Sequence, residues 1–144
     1  MIYSFVVPGK PQGKARPRFD SRRKVTYTPQ KTKDYEELVR SSFIMSCKGS
    51  APLEGAIRAR IIAFYPIPKS ATKSVRKAMA DGKIYPTVKP DLDNIIKAVL
   101  DALNGYAYKD DAAIVDIKVK KRYSEKPKVF VTLADENDFD YIGE

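Results

Sequence analysis

Two aspartates separated by one leucine, Asp91 and Asp93, follow Pro90 in the stretch KPDLDNIIKAVLDALNG, residues 89–105. Two more, Asp110 and Asp111, lie in the short segment YKDD beyond it. Carboxylates gathered within a few ångströms repel one another unless a proton or a cation sits among them. Hard oxygens of this kind, with water and phosphate oxygens completing the shell, are what Mg²⁺ prefers. Beside a phosphodiester, such an ion orients water for attack and stabilises the leaving oxygen. Lys97, one helical turn after Asp93, is spaced to stabilise charge developing on the phosphorus. The same residues also have a plainer use. Asp91 suits an N-cap, and Asp93 falls in the first turn, where the helix dipole favours an anion by roughly 0.3–1 kcal/mol. Lys97 then becomes its i,i+4 partner, and Asp101 extends the polar stripe. On the dipeptide alone the capping use is favoured; the metal use requires the Asp110–Asp111 loop to return to the start of the helix.

The element that positions the first pair is the clearest in the chain. Leu92, Ile95, Ile96, Val99, Leu100 and Leu103 recur at helical spacing, which predicts a helix over 91–104 stopped by Gly105. Before it, IYSFVV (2–7) reads as a strand, a helix is expected after Thr28-Pro29 to about Cys47, and 57–67 reads as a second strand. A short basic helix is expected over 69–81, with Ser70 or Thr72 near its start. After YKDD, AIVDIKVKKRY and KVFVTLA read as two strands joined by SEKP, the first with one wet, basic face. The order indicates one α+β domain with a mixed sheet of about four strands and two main helices. Its core spans 1–134, and the acidic tail 135–144 is expected to fray.

Composition narrows the chemistry. The chain of 144 residues has no histidine, so imidazole zinc sites and Ser-His triads are excluded. Its single cysteine, Cys47, excludes an intrachain disulfide and suits a reducing compartment. No apolar run approaches the ~20 residues of a membrane span, and the N-terminus lacks signal-peptide features, so a cytoplasmic protein is expected. Residues 1–90 carry 19 Lys/Arg against 6 Asp/Glu, a net of +13, whereas residues 91–144 carry 8 against 12, a net of −4. A basic first part joined to a carboxylate-rich second part points to a polyanion, with nucleic acid the leading candidate.

The segment KPDLDNIIKAVLDALNG followed by YKDDAAIVDIKV, residues 89–119, resembles the signature of the RusA-type Holliday-junction resolvases. The shared pattern is DLDN, a lysine four residues after the second Asp, an LDALNG-like helix end, and the acidic-apolar run DDAAIVD leading into a strand. The N-terminal VPGKP, KARPRF and YTPQKTKDYEE are similar to phage-type members, so the likeness covers most of the chain. It implies a RusA-like fold and a Mg²⁺-dependent endodeoxyribonuclease, with Mn²⁺ able to substitute. Such an enzyme acts as a homodimer on branched DNA, with no further protein partner implied. It makes paired symmetric nicks across a four-way junction during recombination and repair. Carried onto this sequence, the metal carboxylates match Asp91, Asp93 and Asp111, and the essential lysine matches Lys97. Asp110 is the weaker neighbour, Asp101 is equally a structural residue, and Asp116 also fits the pattern. Where some relatives have an arginine-rich run before DLDN, this chain has IYPTVKP, with only Lys83 and Lys89 nearby.

The loop GKPQGKARPRFDSRRK, residues 9–24, sets Lys10, Lys14, Arg16, Arg18, Arg22, Arg23 and Lys24 against Asp20 alone. Beside a nuclease site these cations, with Lys89, are expected to contact the phosphate backbone. Phe19 and Tyr27 either stack on opened bases or pack in the core. Two other readings remain: a non-catalytic basic DNA-binding protein whose aspartates are caps, and a nuclease that prefers other branched DNA.

Overall fold

In the computed structural model, which describes residues 1–143, the chain forms a four-stranded mixed sheet with its two longest helices packed on one side. Strands β1 (Ile2–Pro8), β4 (Ile57–Pro66), β5 (Ile114–Ser124) and β6 (Lys128–Asp135) lie in the order β1-β6-β4-β5. The basic loop contains a separate small hairpin, β2 (Arg18–Asp20) with β3 (Val25–Tyr27). The helices are α1 (Gln30–Ser46), α2 (Lys73–Ala80), α3 (Leu92–Ala102) and a short α4 (Phe139–Ile142). Thr72 caps α2 by accepting the Val75 N–H at 3.4 Å. None of these helices is long and apolar enough to cross a membrane.

Strand β4 alternates strictly, with Ile57, Ala59, Ile61, Ala63 and Tyr65 buried. So apolar a strand belongs in the sheet interior, and it pairs parallel with β5 and antiparallel with β6. As a result, β5 and β6 do not pair with each other although only Glu125–Pro127 separates them. The lysine-rich β5 takes the edge instead, where charged side chains stay wet and discourage edge-to-edge pairing.

Helix α1 packs Tyr35, Val39 and Phe43 onto β1, and the Phe43 ring lies 5.6 Å from those of Tyr3 and Phe5. Helix α3 buries Ile95, Ala98, Val99, Leu100 and Ala102. Full burial of a large aliphatic side chain contributes about 1.5–3 kcal/mol, well above the roughly 0.3–1 kcal/mol of a charge at a helix end. Packing therefore fixes α3, and its polar N-terminus is left available for chemistry. The acidic C-terminal segment does not fray. Asp135 accepts the Asn137 N–H, Arg58 stacks 4.5 Å from the Phe139 ring, and Arg60 donates to the Gly143 carbonyl at 2.6 Å. The reason is basic side chains on β4, which the tail's own acidity concealed at the level of sequence. Glu144 lies outside the described residues.

Candidate active site

Asp91 occupies the N-cap position of α3, yet its side chain makes no capping hydrogen bond. Asp93 sits in the first turn, and no ion pair among the described residues joins it to Lys97. Asp91, Asp93 and Lys97 are all exposed, and with Asp101 they line one open cleft of about 720 Å³. Lys14, Arg16 and Lys89 form its basic rim. Asp91 thus makes no capping bond and Asp93 no i,i+4 ion pair, although Asp93 keeps its place in the first turn.

Asp111 does not line this cleft; it lies in the 3-10 turn Asp111–Ala113 that feeds β5, and the loop meets Asp101 in the last turn of α3 rather than the helix start. The Asp111 backbone N–H donates to Asn104 Oδ1 at 2.9 Å, so the LDALNG end of the helix fixes where Asp111 stands. Burial pushes the Asp111 carboxyl above its ordinary range, reinforced by a hydrogen bond with Asp101 and by the charges of Asp101 and Asp110. Asp101 joins the two sets, lining the cleft while touching Asp111. Below it, buried Tyr108 donates to the Leu100 carbonyl at 2.6 Å, and its pKa is raised by burial and by Asp111, Asp101 and Asp110. Tyr65 donates to the Pro90 carbonyl, and its hydroxyl is pushed up to about 12 by burial and the Asp91 charge.

The structure brings Asp91, Asp93, Lys97 and Asp101 into one cleft and places Asp111 against Asp101, while no three acidic side chains among the described residues form a ready cage for an ion. The donor set nonetheless fits a hard divalent cation. It is all carboxylate, and Asp111 is held above its usual pKa partly by negative neighbours whose repulsion a cation would relieve. Asp116 is drawn off to the opposite face of the sheet, 3.3 Å from Arg58 Nε and 3.0 Å from Arg60 Nη1.

The basic loop closes over the N-terminus of α3. Lys14 N–H donates to the Asn94 carbonyl at 3.3 Å, and Ala15 N–H donates to Thr32 Oγ1 at 3.2 Å. A methyl group at Gly13 would lie 3.0 Å from the Cβ atoms of Pro90 and Asn94, so only glycine lets the loop approach this closely. Lys14 is not a free phosphate contact. Its Nζ lies 2.8 Å from Asp101 and 3.4 Å from Glu36, and the Asp101 hydrogen bond raises its pKa. Lys10, Arg18 and Lys89 line an adjoining cavity of about 490 Å³, while Arg22, Arg23 and Lys24 sit on the exposed hairpin turn. Phe19 and Tyr27 are 64% and 44% exposed, so neither is a core residue.

A family model for Endodeoxyribonuclease RusA matches residues 8–134 of this chain. The chain belongs to the RusA family of Holliday-junction endodeoxyribonucleases. The match runs from the end of β1 to within one residue of the end of β6, and so takes in the whole cleft and the hairpin. The chain is also 36% identical over 135 residues to the uncharacterized protein YqaN of Bacillus subtilis (strain 168), covering 91% of this chain and 94% of that one. Reasoning from sequence missed Asn104, which orients Asp111, and Gly13 with Asn94, which seat the loop. The -LNG- ending and the glycine inside a Lys/Pro-rich loop were the available signals, but neither names its partner.

Proposed function

We propose that this RusA-family endonuclease is Mg²⁺-dependent and resolves four-way DNA junctions by paired symmetric nicks as a homodimer. The observation that carries this reading is the uncapped Asp91 beside Asp93, Lys97 and Asp101 in a basic-rimmed cleft, with Asp111 against Asp101. Asp91, Asp93 and Asp111 would hold the ion, with Mn²⁺ able to substitute, and Asp101 is placed to orient Asp111. The bound ion supplies Lewis-acid polarisation of the phosphate and an activated water.

The chain's own residues do the rest. Lys97 places an ammonium at the phosphate and stabilises the charge that grows there during attack. Lys14 holds Asp101 and Glu36, which keeps the basic loop closed and the carboxylate stripe aligned. Arg16 and Lys89 neutralise phosphates along the cleft and Lys10 and Arg18 in the cavity beside it, while Arg22, Arg23 and Lys24 reach for backbone farther out. Two copies related by a two-fold axis match the symmetry of a four-way junction, which is why paired nicks and a dimer are proposed together. Incubation with a synthetic four-way junction, a flap and a fork, each with Mg²⁺ or EDTA, tests the reading. Metal-dependent nicking fastest on the junction is the expected result. Binding without cleavage would favour a non-catalytic DNA-binding protein, and faster flap cutting would reassign the substrate.

A further inference from the structure

The sheet has a second face, away from α1 and α3, and this face is built unlike an ordinary solvated surface. The register aligns Arg60 with Lys118 and Thr132, Ile62 with Lys120 and Phe130, and Phe64 with Arg122 and Lys128. Cations thus recur at every second residue of β5, roughly 6.6 Å apart. The apolar side chains Ile62, Phe64 and Phe130 form a half-buried floor beside them. Two cavities of about 230 and 320 Å³ share Ile62 and Lys120, so one trough crosses β4 and β5. Ile142 of α4 closes one end and Asp81–Gly82, after α2, closes the other.

Two acidic groups beside this trough are engaged by other side chains. Asp116 pairs with Arg58 and Arg60, and Asp81 at the rim lies 3.3 Å from Lys77. Arg122 lies 4.8 Å from the Tyr85 ring and Lys128 5.3 Å from the Phe64 ring, arrangements that hold their charges over the surface. A row of cations on a flat, partly apolar floor complements a sugar-phosphate backbone. It opposes a second copy of itself, because like charges would meet across a two-fold axis.

We infer that this face is a second DNA-contact surface that takes the phosphate backbone of a duplex arm other than the one in the carboxylate cleft. The inference rests on DNA being the substrate. The cleft lies at the N-terminus of α3 and the trough on the opposite side of the sheet, so one straight duplex does not fill both. A branched molecule does, which gives the protein a means of favouring branched over linear DNA beyond the cleft itself.

The test is a Lys120→Gln/Arg122→Gln double variant, with the Lys120→Gln single variant as a milder companion. Each is titrated in EDTA against a labelled four-way junction and a linear duplex over a range of salt. The salt dependence of junction binding is expected to flatten by about 1.8 for two phosphate contacts, at 0.9 per contact. Affinity for the linear duplex should change less, and the nicking rate on saturated junction with Mg²⁺ should stay at the wild-type value. Unchanged junction affinity and slope in both variants would overturn the inference while leaving the cleft reading intact. A loss of oligomer mass on ultracentrifugation with an unchanged slope would overturn it too, by assigning the face to a second copy. Failure of the wild type to bind either DNA would overturn both readings together.

Discussion

The carboxylate cleft and the basic hairpin are neighbours in the chain's surface and opposites in construction. Asp91, Asp93, Lys97 and Asp101 project from a helix whose other side is in the core, with Ile95, Val99 and Leu103 essentially fully buried. The hairpin 18–27 has no buried residue, and its turn is held by Asp20, which accepts from the Arg22 and Arg23 N–H groups and from Arg23 Nε. Chemistry at a phosphorus atom requires placement within fractions of an ångström, which packing enforces. Contact with a backbone that bends at a branch requires only charge and reach. The difference teaches that substitutions in the cleft should change the rate of cleavage, and substitutions in the hairpin should change binding.

The largest effect is expected at Asp111. Asp111→Asn should slow junction cleavage by at least about a hundredfold in single-turnover assays, with junction affinity near that of wild type. A comparable loss in affinity would erase the contrast with the hairpin. Next, Phe19→Ala should weaken junction binding by about 1–3 kcal/mol if the exposed ring stacks on an opened base, measured by anisotropy. Its melting temperature should not move, because the side chain is already exposed. An equal loss on linear duplex would show that the ring does not read the branch. Smaller still, Arg22→Gln/Arg23→Gln should flatten the salt dependence of binding by about 1.8 and leave the rate on saturated junction unchanged.

The smallest effect is on stability and pH. Asp111 has a raised folded-state pKa, so its ionisation opposes folding. That penalty is absent below the ordinary aspartate pKa, grows as pH rises through the folded-state value, and is complete at neutral pH. Asp111→Asn should therefore raise the melting temperature slightly at pH 7 and not at pH 3. Wild-type cleavage should begin to fall above the ordinary carboxylate range as the pH is lowered. A variant that melts lower at pH 7 would mean that Asp111 is structural.

Much of this was legible in the residues. The helical repeat from Leu92 to Leu103 placed α3 to within two residues, and Asp91 at its start followed from Pro90 and the repeat. Four strands and a mixed sheet followed from alternation and order. The insertion of the apolar β4 between β5 and β6 was not legible, because strand order depends on partners far away in the chain. Lys14 was read as a phosphate contact from local charge, whereas its partners Asp101 and Glu36 are 87 and 22 positions away in the chain. The tail was read as frayed because nothing local binds it; its anchor is a pair of arginines on β4. In each case the missing information was a long-range pairing, which periodicity and composition do not carry.

The central claim is that the uncapped carboxylates of α3 work through a divalent cation. It is tested most directly by incubating wild type and Asp91→Asn with a labelled four-way junction, each with Mg²⁺ and with EDTA, and following nicking and binding in the same samples. Wild type should nick the junction only with Mg²⁺, while Asp91→Asn binds the junction and leaves it intact under both conditions. Nicking by Asp91→Asn at the wild-type rate, or by wild type in EDTA, would contradict the claim.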